Sequence, residues 1–177
     1  MIIFVNNKRD VLLEFFLRNN TKEIHIRELS RLVGISFPWT RKIALEFAGQ
    51  GLLKKRITGG LVLIKADKDA EGFKQVKRSY NLLSMYKTGL VEYLNEHYGR
   101  PEAIILFGSY SRGEDTEDSD VDIGIITTRS GQPELAKMEK LIGRKIRIQE
   151  ILREKADAAF WNTLANGIIL SGYLELP

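Results

Sequence analysis

The chain has 177 residues, 44% hydrophobic and 28% charged, which gives room for one or two modest globular domains and argues against a disordered chain. It has no cysteine and only two histidines, His25 and His97, far apart in sequence, which excludes disulfides and thiolate metal sites and makes a zinc centre a poor expectation. No apolar run approaches the ~20 residues of a membrane span, and Met1 to Val5 lacks the basic start and cleavage region of a signal peptide, so the expected setting is the cytoplasm.

Charge is spread unevenly. Residues 1–66 carry twelve Lys or Arg against five acids, residues 67–100 six against five, and residues 101–177 nine against thirteen. A basic front half joined to an acidic back half suggests a polyanion-binding module attached to a metal or nucleotide module. No internal repeat or low-complexity tract is present.

In the front half, Asn7 can cap a helix over residues 8–18, with Val11, Leu12, Phe15 and Phe16 at near-helical spacing as its core face. Ile24, His25 and Ile26 form a short strand candidate. Residues 27–33 read as a second helix ended by Gly34, and Pro38 at a first helical position opens a third over residues 39–48, closed by Gly49 and Gly51. Residues 52–57 and 61–65 read as strands around the Thr58, Gly59, Gly60 turn.

Three helices followed by a basic hairpin resemble a winged helix-turn-helix. The resemblance implies that the third helix enters the major groove of duplex DNA. It nominates Thr40, Arg41 and Lys42 as exposed contacts, Ser36 near a phosphate, and Lys54, Lys55 and Arg56 on the wing. Against this stands the plain reading of these cations as a solvated surface, and of the whole module as a protein-interaction unit. Trp39 reads as a core or interface anchor in preference to a base reader.

Residues 69–97 carry Phe73, Val76, Tyr80, Leu83, Tyr86, Leu90, Tyr93 and Leu94 at steps of three or four. This predicts an amphipathic linking helix, or two helices with a break near Gly89, ended by Gly99 and Pro101. Its stripe fits the C-terminal module or a second copy of the chain, so a homodimer stays open. His97, near a helix C-terminus, reads as structural.

The segment that suggests a chemistry is GSYSRGEDTEDSDVD, residues 108–122. The continuously apolar run of residues 103–107 predicts a strand buried on both faces that stops at Gly108. Gly108 permits a close backbone approach, Ser109 can bond a phosphate, and the free amides of the helical turn that follows favour an anion. Residues 120–126 read as a second strand, whose period of two puts Asp120 and Asp122 on one face. Mg²⁺ is typically held by one or two carboxylates plus substrate phosphates, so a phosphate cradle facing paired aspartates reads as a metal-nucleotide site.

Gly-Ser, ten residues, then Asp-x-Asp resembles the signature of the minimal nucleotidyltransferases of the DNA polymerase beta superfamily. The resemblance covers roughly residues 99–177 and extends to the strand ahead of Gly108, to Arg112 and Gly113, and to the acidic stretch and Ser119 before Asp120. It implies a nucleoside triphosphate substrate, Mg²⁺ or Mn²⁺ on Asp120 and Asp122, phosphate held by Gly108 and Ser109, and Arg112 neutralising developing charge. Related minimal transferases act on toxin partners, so a protein acceptor is among the expectations.

The family usually carries a third carboxylate on a later strand. Here the stretch reads Gly143, Arg144, Lys145, Ile146, Arg147, Ile148, Gln149, Glu150, and Arg147 stands in the expected acidic slot. Alternation puts Gln149 on its face and Glu150 on the other unless a bulge intervenes. A general base is worth ~10²- to 10⁴-fold in rate, and a guanidinium only donates. Three outcomes stay open: a weak transferase, a nucleotide-binding pseudoenzyme in which Arg147 contacts phosphate, or an Arg147 that pairs with Asp120 or Asp122 and leaves the site without metal. Residues 133–141 predict a crossover helix with Pro133 first, and residues 156–166 a helix burying Phe160, Trp161 and Leu164. An extended tail follows over residues 167–170.

The expected architecture is α+β: a winged helix-turn-helix over residues 1–66, a linking helix over 67–98 and a mixed-sheet nucleotidyltransferase-like domain over 99–177. The leading function is transfer of a nucleoside monophosphate from a magnesium nucleoside triphosphate to a protein or small hydroxyl acceptor. The alternative is a DNA-binding regulator whose degenerate transferase domain senses nucleotide.

Overall fold

The computed structural model describes residues 7–175, so the leaderless reading of Met1 to Val5 lies outside the described residues. The chain divides into two compact units, one ending at Lys77 and the other beginning at Arg78.

The first unit is built from α1 (Lys8–Arg18), β1 (Ile24–His25), α2 (Ile26–Val33), α3 (Phe37–Gly49), β2 (Leu53–Thr58), β3 (Leu61–Ala66) and the opening turns of α4 (Glu71–Lys87). Asn7 caps α1, its side chain accepting from the Arg9 and Asp10 amides, and Gly34 ends α2 in the left-handed region at φ 67°. The strands form an antiparallel sheet in the order β1-β3-β2. Thr58 lies across from Leu61, and Gly59 and Gly60 between them have φ of 52° and 75°. Positive φ at both central residues is what a two-residue hairpin turn of matching twist needs. Leu12, Phe16, Leu29, Ala44, Ile64 and Phe73 are fully enclosed and form the core of this unit. Lys77 is enclosed with them, its ammonium donating to the Leu17 carbonyl at 2.5 Å, which satisfies a charge that burial would otherwise penalise.

The second unit holds the rest of α4, then α5 (Leu90–His97), β4 (Ala103–Phe107), α6 (Gly108–Arg112), β5 (Val121–Ile126), α7 (Ala136–Ile142), β6 (Ile146–Ile151), α8 (Ala158–Ala165) and β7 (Ile168–Gly172). Gly89, at φ 72°, breaks α4 from α5 where the sequence predicts it. The sheet is mixed, in the order β6-β5-β4-β7: β4 is antiparallel to β5 and β7, while β5 and β6 are parallel and joined through α7. One face packs Ile104, Leu106, Val121, Ile123 and Ile125 against Met85, Leu90, Val91 and Leu94. Leu90, Tyr93 and Leu94 of the linking stripe pack inside this unit, while Tyr86 stays exposed. The other face packs Ala103, Ile105, Ile126 and Ile151 against Trp161 and Leu164 of α8.

Two local expectations are corrected. Pro133 does not open the crossover helix, which begins at Ala136; the Glu134 amide donates to the Tyr93 hydroxyl at 2.7 Å, and that contact holds the segment off the helix. The tail over residues 167–170 is a full sheet strand, β7, paired with β4. Among the described residues no helix is long and apolar enough to cross a membrane.

Candidate functional site

The Gly-Ser turn sits where β4 ends. Phe107, the last residue of β4, pairs directly with Asp122 of β5, so the chain leaves the sheet at Gly108 beside the point where the aspartates return. Gly108 has φ 73°, and a Cβ there would lie 2.6 Å from Asp122 Oδ2. A glycine is required on both counts, backbone conformation and space.

The turn is pinned from below. Tyr110 is buried in the core, and the Ser111 hydroxyl donates to the Gly108 carbonyl at 2.8 Å. Asn81 of α4 donates to the Tyr110 carbonyl at 2.9 Å and to Asp115 Oδ1 at 2.7 Å. Asn81 and Asp115 are both buried, and sequence reasoning missed them as supports. The available signal was an asparagine within an apolar helix stripe. Ser109 is left half-exposed, and its hydroxyl has no hydrogen-bond partner among the described residues.

Asp122 and Asp120 lie on the sheet face away from Val121 and Ile123. Burial holds the Asp122 carboxyl above the usual carboxylate range; Arg147 pulls it down and Asp120 pushes it up. Arg147 stands beside Asp122 in the parallel register and its Nη2 lies 2.6 Å from Asp120 Oδ2. Arg147 therefore pairs with an aspartate, which is the ion-pair half of the third outcome posed for it. Glu150 faces the opposite side without a bulge. It accepts from the Gly131 amide at 2.8 Å, the Ser130 hydroxyl at 2.8 Å and the Tyr98 hydroxyl at 2.9 Å, so it cannot serve as the third acid. Glu139 of α7 fixes the start of β6, accepting from the Ile146 amide and the Lys145 ammonium, each at 3.0 Å. An open cavity of about 560 Å³ adjoins Asp120, walled by Glu117, Asp118, Glu139, Arg144 and Lys145 among others.

Arg112 is exposed and its guanidinium pairs with Glu114 at 2.7 Å. Among the described residues no cluster of three or more His, Asp or Glu side chains is arranged to hold a metal ion. Two neighbouring carboxylates suit a single hard cation that takes its other oxygens from water and phosphate. They do not supply a second such cation, because the third donor is a guanidinium.

In the first unit, Ser36 precedes α3 with no side-chain cap bond, and Arg41 and Lys42 are exposed. Thr40 is corrected: it is fully buried, its hydroxyl donating to the Ile35 carbonyl at 3.2 Å, so it cannot touch a ligand. Trp39, read as a core or interface anchor, lies outside the core; it is 47% exposed, with the Lys8 and Lys42 ammonium groups each 5.2 Å from its ring centroid. On the hairpin, Lys54 pairs with Asp67 at 2.7 Å and Arg56 with Glu23 at 2.5 Å. Lys55 keeps an unpaired ammonium among the described residues.

Residues 87–170 match the family model described as nucleotidyltransferase domain. Two relatives from Methanocaldococcus jannaschii each bear the name "putative protein adenylyltransferase". One is 38% identical over 52 residues, covering 25% of this chain and 52% of its own length; the other is 56% identical over 32 residues, covering 18% and 32%. The chain thus spans about half the length of the first and a third of the second. The Gly108 turn and the aspartate pair lie within residues 87–170, the stretch that matches the nucleotidyltransferase domain model.

Proposed function

We propose that the second unit transfers a nucleoside monophosphate from a magnesium-bound nucleoside triphosphate to a hydroxyl of a protein, while the first unit is a winged helix-turn-helix that binds duplex DNA. The observation that carries the transferase reading is the contact of Gly108 with Asp122, which puts the phosphate-binding turn and both acids at one sheet end. In the reaction the acceptor oxygen attacks the α-phosphorus, the α–β anhydride bond breaks, pyrophosphate leaves and the hydroxyl proton passes to water. The Ser109 hydroxyl and adjoining amides bind the polyphosphate, and Asp120 and Asp122 hold the cation. A bound Mg²⁺ (or Mn²⁺) would supply neutralisation of phosphate charge. Phosphoryl transfer rests mostly on positioning and electrostatics, so loss of the general base slows this chemistry without removing its basis. A protein acceptor is preferred to a small one because both relatives are named for protein adenylylation.

The test is incubation with ATP labelled at the α-phosphate, with Mg²⁺ and a lysate as acceptor source. Label on a protein band that is lost in the Asp120→Ala, Asp122→Ala double variant supports transfer; equal labelling by both sinks it.

A second reading is favoured by the Asp120–Arg147 ion pair: a DNA-binding regulator whose transferase unit binds nucleotide without turnover. It predicts no label transfer, nucleotide binding that persists, and DNA affinity falling steeply with salt as counterions are released. Absence of salt-sensitive binding to any duplex would count against it.

A further inference from the structure

The residue that most separates this site from a three-acid centre is Arg147, and its position gives it a role beyond absence of a base. It lies next to Asp122 across the β5–β6 ladder and 2.6 Å from Asp120 Oδ2. Its side chain is 74% exposed, so the guanidinium donors not used by Asp120 face solvent. Lys145 is held by Glu139 and Arg112 by Glu114, while the charges acting on Asp122 come from Arg147 and Asp120.

The formal charge makes the argument. An arginine in place of a carboxylate raises the charge of a site by two, the charge of one divalent cation. Two carboxylates and a guanidinium with one Mg²⁺ therefore leave a triphosphate in the same net electrostatic balance as three carboxylates with two such ions. A guanidinium also matches a phosphate with paired donors, and Arg147, with its side chain 74% exposed, keeps donors on the solvent side of its pair with Asp120.

We infer that Arg147 is a built-in cation for the polyphosphate of a nucleotide, so that this site takes one divalent ion instead of two and retains nucleotide when divalent ions are chelated. On nucleotide binding the guanidinium moves from Asp120 to a phosphate oxygen, and both aspartates become available to the single ion. The inference rests on the nucleotide-binding reading given above, and needs no turnover.

The experiment uses the full chain and a nonhydrolysable ATP analogue, with two readouts. Electron paramagnetic resonance counts Mn²⁺ bound per chain when the analogue is saturating. Calorimetry measures analogue affinity with Mn²⁺ and with excess chelator. The expected result is one Mn²⁺ per chain, and chelator-resistant binding that falls about ten- to a hundredfold in Arg147→Ala but less in Arg147→Lys. Arg147→Asp is expected to lose chelator-resistant binding and to take up a second Mn²⁺; because the side chain is exposed, these variants should fold, which circular dichroism checks. Two Mn²⁺ in the wild type, or equal chelator-resistant binding by wild type and Arg147→Ala, overturns the inference while leaving the nucleotide site standing. No analogue binding even with Mn²⁺ overturns both.

Discussion

Gly108 and Asp122 touch: the α-carbon of one faces the carboxylate of the other so closely that a methyl group would lie 2.6 Å from Oδ2. The contact exists because β4 and β5 pair Phe107 with Asp122. A ladder of backbone hydrogen bonds, not a flexible loop, sets the distance between the Gly108 turn and the acid.

Gly108→Ala should therefore fail twice, by strain at φ 73° and by collision with Asp122. The strain alone costs about 1–3 kcal/mol. The expected outcome is a lowered melting temperature together with loss of nucleotide binding by calorimetry, whereas Ser109→Ala should weaken binding with the melting temperature unchanged.

Asp122 sets a pH dependence of known sign. Burial raises its folded-state pKa above the ordinary 3.8, so between those two values the folded chain binds more protons than the unfolded one, and stability falls as pH rises through that window. At neutral pH the penalty is complete. Asp122→Asn should melt higher than the wild type at pH 7, with the advantage shrinking as pH falls through the folded-state pKa and gone below the ordinary 3.8; thermal melts across acid pH check this.

Glu150 has the opposite sign. Its pKa is lowered, first by the Gly131 amide and then by the Ser130 hydroxyl, so its contribution is fully present above the ordinary 4.5 and is lost as pH falls through the folded value. Glu150→Gln should lower the melting temperature modestly at pH 7 and speed amide exchange at Gly131. Nucleotide affinity should be unaffected, since Glu150 lies on the sheet face away from the aspartates.

On the first unit, Arg41→Ala and Lys42→Ala should each weaken duplex binding uniformly across sequences and reduce the slope of log affinity against log salt by about 0.9 per lost phosphate contact. Thr40→Ala should leave that slope intact and cost about 1 kcal/mol of stability through its lost bond to Ile35. Filter binding at several salt concentrations, beside thermal melts, separates the two.

Much of the architecture was legible because its punctuation is local. Asn7, Gly34, Pro38, the Gly59 and Gly60 pair and Gly89 each act through their own backbone, and each stands where the structure needs it. Thr40 was misread by residue type: it shares the helical spacing of Ile43, Ala44 and Phe47, and that spacing already placed it inside. Trp39, on the flank of the same stripe, is left outside the core, which removes the core half of its core-or-interface reading. The aspartate pair and the turn were readable from motif and period. Asn81 under the turn, Tyr93 on Glu134 and Glu139 on the start of β6 were not, because each joins positions distant in sequence that only the packed sheet brings together.

Because Phe107 and Asp122 are neighbours in the ladder, the intervening stretch is an excursion that leaves and re-enters the sheet at one place. The excursion is braced at two points, by Asn81 on buried Asp115 and by the Ser119 hydroxyl, which accepts from the Thr116 amide at 2.9 Å. Lengthening it between residues 116 and 119 would break that second brace directly ahead of Asp120, so the spacing between turn and acids is set by the fold as well as by the motif.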